Sequence, residues 1–164
     1  MITITSHSID QTLSIGRAIG RFLKKGDVVC LYGDLGSGKT MLCKGIASHF
    51  DISERDVTSP SYTIINEYWG LHSIYGQTPQ DIKVKHNLAT PFYHIDLYRL
   101  SDIQSIEETG LFEVLNNQSI AVIEWAERLE GHVECSIKIN LDYIDADTRR
   151  ISIAGINEED WNNC

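Results

Sequence analysis

Residues 27 to 50, which read DVVCLYGDLGSGKTMLCKGIASHF, decide the fold of this chain. Within them, residues Gly33 to Thr40 (GDLGSGKT) match the phosphate-binding pattern G-x-x-x-x-G-K-S/T. The residues before the pattern, Asp27 to Tyr32, form a short apolar run that is typical of a buried parallel strand. After it, apolar residues at 42, 43, 46, 47 and 50 come close to the period of a helix. Backbone N–H groups and a helix N-terminus then converge on one point, which predicts binding of a nucleoside triphosphate.

Each residue of this loop has a predicted task. Gly33 and Gly38 let the backbone turn and approach the phosphates where a Cβ atom would collide. Lys39 is predicted to reach the β- and γ-phosphates during catalysis, and the Thr40 hydroxyl to ligate Mg²⁺. The alternative is a glycine-rich turn with an exposed lysine, which the flanking strand and helix patterns disfavour. The predicted nucleotide contacts in the loop are Asp34, Leu35, Gly36, Ser37, Gly38, Lys39, Thr40 and Met41.

The composition predicts one domain over residues 1 to 164. A formal net charge of -9 argues against a broad basic surface, so we expect no DNA binding and only indirect contact with RNA. Short basic groups at 24–25, 83–86 and 149–150 are interpreted as solvated surface, although RNA contact at 83–86 stays open. The chain start does not resemble a secretory signal and no apolar run could cross a bilayer, which predicts a cytoplasmic protein without membrane contact.

The four cysteines are predicted to be reduced. Cys30, Cys43, Cys135 and Cys164 form no C-x-x-C pair, and two of them lie inside predicted core elements. Buried thiols pack as small apolar side chains. The spacing therefore favours packing residues over zinc ligands or disulfides.

The remaining patterns predict an α/β fold, a three-layer P-loop NTPase with a mixed, mainly parallel sheet and an antiparallel hairpin formed by the last two strands. Gly110 is predicted to break the second-half helix into two pieces. Residues 69 to 91 show no strong period and are predicted to form a long surface excursion. The predicted elements are strands at 2–6, 27–32, 92–100, 119–125, 136–143 and 149–154, extended chain at 57–68, and helices at 10–23, 40–50 and 101–116.

Two acidic residues are candidates for the second half of the site. A phosphate loop needs an acid at the end of a neighbouring strand to hold magnesium or to orient water. Glu124 ends a run of four apolar residues, and Asp96 lies in an aromatic strand. A carboxylate in such surroundings is unfavourable unless it has a partner, so both are predicted to be catalytic. The alternatives are an ion pair of Asp96 with Arg99 and a solvent-facing strand end at Glu124.

The hydroxyl-rich segment Thr58 to Thr63 follows the first strand–loop–helix unit. Loops at this position commonly respond to a γ-phosphate, which orders them through metal and hydroxyl contacts. The segment is therefore a candidate switch loop, with an ordinary Ser/Pro turn as the alternative.

Five motifs occur in a fixed order along the chain. They are GDLGSGKT at 33–40, SPSYT at 59–63, HIDLYRL at 94–100, EETG at 107–110 and IEW at 123–125. Together they resemble the motifs of the TsaE (YjeE) ATPases over about residues 6 to 154. The resemblance implies a bacterial P-loop ATPase that uses ATP and Mg²⁺ and is required for N6-threonylcarbamoyladenosine (t6A) on tRNAs that read codons beginning with A. It also implies TsaB and TsaD as partners that hold the tRNA, with ATP hydrolysis resetting their complex and slow turnover without them.

The resemblance assigns roles by position. It gives Lys39 and Thr40 phosphate and magnesium contacts, Glu124 the part of a magnesium-linked acid, and Asp96 the part of the acid that assists hydrolysis. Thr12 falls near the adenine. Which carboxylate touches the metal directly is left open.

The chain departs from the family pattern at two places. Met41 stands where the family usually has a second hydroxyl residue, so that role is absent or passes to Ser61 or Thr63. The excursion at 69–91 is longer than usual, and it could cover the nucleotide or meet a partner.

Two other functions fit the phosphate loop. A small-molecule kinase matches the size and the loop, but it would need an acceptor pocket that is normally lined by arginines. A GTP-dependent switch protein ranks last, because no D-x-x-G follows the switch segment and no N-K-x-D occurs.

Overall fold

The structure is a computed structural model that describes residues 1–71, 89–129 and 131–164. A mixed sheet is flanked by short helices. The strands are β1 Ile2–Ser6, β2 Val28–Tyr32, β3 Ile65–Leu71, β4 Ala89–Asp96, β5 Ile120–Glu124, β6 Ile137–Tyr143 and β7 Arg149–Ala154. The helices are α1 Ile9–Gly20, α2 Lys39–His49, α3 Ile103–Glu107, α4 Leu111–Val114 and α5 Glu158–Asn162, with a 3₁₀ turn at Ala126–Leu129.

The strands form one sheet in the order β1-β7-β6-β2-β5-β4-β3. Its centre is parallel, because β2 pairs with β5 and β6, and β4 pairs with β5. The outer pairs are antiparallel and include the predicted hairpin of β6 and β7. The carboxyl ends of β2, β4 and β5 therefore meet at one edge of the sheet, where ligands of open α/β folds bind.

Helices cover both faces of the sheet, which confirms the three-layer prediction. Side chains alternate along the central strands, so Val29 and Leu31 pack with α1 and α2, whereas Cys30 packs with α3, α4 and the 3₁₀ turn. Leu42 and Ile46 of α2 are fully buried against the first face. Burying each side chain of this size contributes about 1.5–3 kcal/mol to folding, which fixes α2 on the sheet.

Helices α1 and α2 approach each other closely. A Cβ atom at Gly16 would overlap the Leu42 carbonyl oxygen, and one at Gly45 would overlap the Leu13 carbonyl oxygen. The two glycines thus let the helix backbones touch. Because of this contact, the start of α1 lies beside the start of α2.

Several predicted boundaries are wrong by a few residues. The helix predicted at 10–23 ends at Gly20. Beyond it the chain forms turns, in which the backbone N–H groups of Phe22 and Leu23 donate to the carbonyl oxygens of Ile19 and Gly20. The strand predicted at 92–100 begins at Ala89 and ends at Asp96, the last residue in register with β5.

Two other segments differ more from their predictions. The extended segment predicted at 57–68 becomes a strand only at Ile65, because Ile64 closes a turn onto the Pro60 carbonyl and has a φ of 67°. The ends of the predicted excursion belong to β3 and β4, and the rest of it, residues 72–88, lies outside the described residues. The break at Gly110 is confirmed, with α3 before it and α4 after it.

The prediction that all cysteines are reduced is wrong for one pair. Cys30 and Cys135 form a disulfide across 105 residues of sequence. Spacing along the chain could not show this pair. The parallel pairing of β2 with β6 creates it, because Val29 is in register with Ile137 and Ser136 N donates to the Val28 carbonyl. Cys43 and Cys164 are free.

Removing this disulfide is expected to destabilise the protein. A bond that closes a loop of roughly 100 residues restricts the unfolded chain, and loss of a native disulfide lowers the free energy of unfolding by about 2–5 kcal/mol. Urea unfolding of the Cys30→Ala/Cys135→Ala variant should show this loss, and reductant should produce it in the wild type. Thiol titration of the unfolded, unreduced wild type should find the two free cysteines. The exposed Cys164→Ser variant is the control, and four reactive thiols in the wild type would contradict the bond.

In the described residues, no helix is both long enough and apolar enough to cross a bilayer.

Candidate functional site

The loop between β2 and α2 forms a cradle. Gly33 has a φ of 133° and lies so close to Leu141 that a Cβ atom would overlap its carbonyl oxygen. Gly38, with a φ of 103°, precedes α2, and no side chain in the described part of the protein caps that helix. The first backbone bond of α2 runs from Leu42 N to Gly38 O, which leaves earlier N–H groups available to an anion. The Ser37 hydroxyl is buried without a hydrogen-bond partner among the described residues. These features fit a phosphate.

Lys39 is held inside the loop. Its Nζ donates to the carbonyl oxygens of Gly33 at 2.6 Å and Asp34 at 2.9 Å. It also lies 3.9 Å from the centroid of the Trp125 ring. Burial lowers the pKa of the Lys39 ammonium, and nearby carboxylates, Glu124 foremost, oppose the shift. Lys39 is therefore held in the loop with acids close to it.

Glu124 joins the loop helix to the neighbouring strand. Thr40 Oγ1 donates to Glu124 Oε1 at 2.8 Å, and His94 Nε2 lies 2.7 Å from the same oxygen. Only 3% of Glu124 is exposed, so the solvent-facing alternative is wrong. In the parallel pairing of β4 with β5, Glu124 is in register with Asp96. Two acids distant in sequence thus end adjacent strands.

Asp96 is bound by the candidate switch segment. Its Oδ2 accepts from Ser61 Oγ at 2.6 Å and Ser59 Oγ at 3.1 Å, and its Oδ1 accepts from the backbone N–H of Tyr98 at 3.0 Å. The predicted ion pair with Arg99 is wrong, because none of the ion pairs among the described residues joins the two. The Arg99 guanidinium instead lies 4.2 Å from the Tyr62 ring centroid. Three donors thus bind this carboxylate, of which 3% is exposed.

A cavity of about 340 Å³ opens over the loop. Lys39, Thr40, Asp96 and Glu124 all line it. Its other lining residues are Ile9, Leu35, Gly36, Gly38, Met41, Ser59, Ser61, Tyr98, Trp125 and Arg149. Of the predicted loop contacts, Asp34 and Ser37 are not part of this lining. Asp34 instead offers its carbonyl oxygen to Lys39.

Thr12 lies in a second, smaller cavity of about 110 Å³ that shares Ile9, Gly38, Met41 and Arg149 with the first. The Thr12 hydroxyl is 2.8 Å from the Ser6 hydroxyl. The second cavity therefore extends the first towards the start of α1.

Arg149 is a site residue that the sequence analysis placed on the solvated surface. It lines both cavities, and its Nη2 donates to the Gly36 carbonyl oxygen at 3.4 Å. Its Nη1 is bound by the turn before β7, with the Asp145 carbonyl oxygen at 2.6 Å. His94, Trp125 and Tyr98 were also missed as individual site residues. The clue for His94 and Tyr98 was their place beside Asp96 in HIDLYRL.

The described residues contain no group of three or more His, Cys, Asp or Glu that could hold a metal unaided. Thr40 Oγ1 and Glu124 Oε1 nevertheless lie 2.8 Å apart. That separation is close to the roughly 2.9 Å between neighbouring oxygens of an octahedral Mg²⁺ with bonds of about 2.0–2.1 Å. Since Mg²⁺ in nucleotide sites takes one or two protein groups and completes its shell with phosphate and water, these residues fit it.

Comparison with known proteins finds relatives over most of the chain. The sequence profile of the family described as threonylcarbamoyl adenosine biosynthesis protein TsaE matches residues 6–151. The tRNA threonylcarbamoyladenosine biosynthesis protein TsaE of Treponema pallidum is 31% identical over 91% of this chain and 97% of its own length. The protein of the same name from Haemophilus influenzae is 37% identical over 79% of this chain and 71% of its own. The crystal structure of Bacillus subtilis YdiB aligns with a TM-score of 0.70 and 26% identity, covering 99% of this chain and 94% of that one.

Proposed function

Because the chain belongs to the TsaE family, a P-loop ATPase family of t6A biosynthesis, we propose that it hydrolyses ATP with Mg²⁺ to support t6A formation on tRNA. The observation that carries this proposal is the placement of Asp96 and Glu124 side by side on β4 and β5, in one cavity with Lys39 and Thr40. A cation, a hydroxyl and two carboxylates at a phosphate cradle are the groups that phosphoryl transfer to water requires.

The loop binds and orients the triphosphate. Backbone N–H groups at the start of α2 would donate to the phosphates, and Lys39 would turn the two hydrogen bonds that it donates to the Gly33 and Asp34 carbonyl oxygens towards phosphate oxygens. The surrounding acids, Glu124 foremost, oppose the lowering of the Lys39 pKa by burial. We assign this lysine the stabilisation of charge that develops on the transferred phosphoryl group.

Thr40 and Glu124 would hold the magnesium. Their oxygens lie 2.8 Å apart beside the phosphate loop, and Mg²⁺ bound there would neutralise phosphate charge. Asp96 then orients the attacking water, because it lines the same cavity and has no cation of its own among the described residues. Its bonds to Ser59 and Ser61 connect that role to the switch segment.

The nucleoside occupies the smaller cavity in this proposal. Thr12 lies there beside Arg149, whose guanidinium joins the hairpin of β6 and β7 to the phosphate loop. The adenine would thus bind where α1, the phosphate loop and the hairpin of β6 and β7 meet. Met41 lines both cavities and contributes an apolar surface in place of a second hydroxyl.

TsaB and TsaD are the proposed partners, and tRNA contact is indirect. The net charge of -9 supports this division, since another subunit then supplies the cations that hold RNA. Hydrolysis by the isolated chain is slow, and the partner pair accelerates it by completing the site. Each ATP resets the complex after one transfer.

Reconstitution tests the proposal. A bacterial TsaB–TsaD pair alone should modify tRNA for a single turnover, and adding this chain with MgATP should allow many turnovers while raising its ATPase rate. The Thr40→Val variant, which is nearly isosteric but lacks the hydroxyl, should fail to do so. Fast hydrolysis that ignores the pair would refute the partner role. Stoichiometric phosphoryl transfer to a metabolite would favour the kinase instead, and preference for GTP would favour a switch protein.

A further inference from the structure

His94 is a fully buried polar residue in the middle of the sheet. It lies in β4, in register with Val122 of β5, and none of its surface is exposed. Its Nε2 is 2.7 Å from Glu124 Oε1, while its Nδ1 is buried with no hydrogen-bond partner among the described residues. A histidine that served only as core filler would not need this contact with a carboxylate at the edge of a cavity.

The hydrogen bond fixes where the imidazole carries its proton. An ionised carboxylate only accepts hydrogen bonds, so Nε2 must be the donor. The geometry therefore places a proton on Nε2, where it faces Glu124. This N–H orients the carboxylate.

Both donors to Glu124 end on the same oxygen. Thr40 Oγ1 and His94 Nε2 each bond to Oε1, and within the described ranges no hydrogen bond reaches Oε2. Two bonds from different directions fix the rotation of the carboxyl group. One donor belongs to the phosphate-loop helix and the other to the strand that carries Asp96.

We propose that His94 is a positioning residue, whose Nε2–H holds Glu124 in the orientation that accepts magnesium together with Thr40. The inference rests on the proposed function, because it concerns the same site. Its physical basis is that hydrogen bonds to a metal-binding group preorganise that group, and their loss typically lowers metal affinity or activity by about 10–100-fold.

Two substitutions separate positioning from packing. The side-chain nitrogen of glutamine is separated from Cα by the same number of bonds as Nε2 of histidine. The side-chain nitrogen of asparagine is one bond closer to Cα, at the same separation as Nδ1 of histidine. We therefore expect His94→Asn to lower kcat for ATP by about 10–100-fold with a nearly unchanged KM, and His94→Gln to recover most of the rate. His132→Asn, at an exposed histidine, is the matched control. Urea unfolding of each variant measures any loss of packing separately.

Two further measurements do not depend on turnover. Nitrogen-15 NMR of the nucleotide-free wild type should show the His94 proton on Nε2. Calorimetric titration of Mg²⁺ in the presence of ATP should give a half-saturating Mg²⁺ concentration that is about 10–100-fold higher in His94→Asn than in the wild type. His94→Gln should not show this increase.

The outcomes separate this inference from the proposed function. Equal kcat and Mg²⁺ requirement in the two variants, whether both are low or both normal, would overturn the positioning role, as would an Nε2 that carries no proton. A wild type that binds MgATP but never hydrolyses it, even with TsaB and TsaD, would refute the proposed function. The NMR and binding measurements would still decide the role of His94.

Discussion

Replacing Lys39 with alanine is expected to reduce ATP hydrolysis by about 10²–10³-fold or more, the loss seen when one preorganised group that stabilises transition-state charge is removed. Lys39 is the cation held in the phosphate loop, by two carbonyl oxygens and the Trp125 ring. In the proposed function this ammonium reaches the phosphates from its place in the loop. A steady-state ATPase assay in the presence of the partner pair measures the loss.

Two companion variants sharpen this experiment. Lys44→Ala removes a lysine from the same helix, α2, at a position outside the cavity lining, and should leave hydrolysis unchanged. Lys39→Arg keeps the charge but replaces a compact ammonium with a larger, planar guanidinium, so ATP hydrolysis should remain strongly impaired. Wild-type turnover in Lys39→Ala would show that the loop does not act on a triphosphate.

The Asp96→Asn variant is expected to lower kcat by about 10²–10⁴-fold, the usual contribution of a general base or water-orienting group. Nucleotide affinity should change little, because Asp96 is assigned to the attacking water and not to the phosphates. The amide keeps the size of the side chain and removes its charge. Single-turnover hydrolysis, together with calorimetric ATP binding, separates the two effects.

Controls for Asp96→Asn come from the same chain. Asp160→Asn makes the same chemical change at an exposed site in α5 and should be silent. Ser61→Ala removes the 2.6 Å hydrogen bond to Asp96 but keeps the carboxylate, so its loss should be smaller. If Asp96→Asn instead weakens ATP binding as much as turnover, the carboxylate is a metal or phosphate contact.

The local patterns predicted the centre of this protein well. The loop, its strand and its helix came from one stretch of sequence, because a glycine pattern with fixed spacing reports a backbone shape directly. Strand β5 followed from a continuous apolar run, and β6 and β7 followed from apolar alternation. Glu124 could be recognised from the apolar run that it ends, since burying a carboxylate requires a partner.

Residues brought together by sheet pairing could not be predicted in the same way. Arg149 reaches the loop only because β7 returns beside β6, and Cys30 meets Cys135 only because β2 and β6 are parallel neighbours. The role of His94 depends on the register of β4 with β5. Such contacts arise from tertiary arrangement, which periodicity along the chain does not encode.

The pairing of β1 with β7 has a consequence for biosynthesis. During translation β1 is made long before β7, its only hydrogen-bonded neighbour in the described sheet. Until β7 leaves the ribosome, both β1 and the edge of β6 stay open to chaperones or to wrong partners. Completion of the sheet is therefore a late event in folding, governed by the closure of a very long loop.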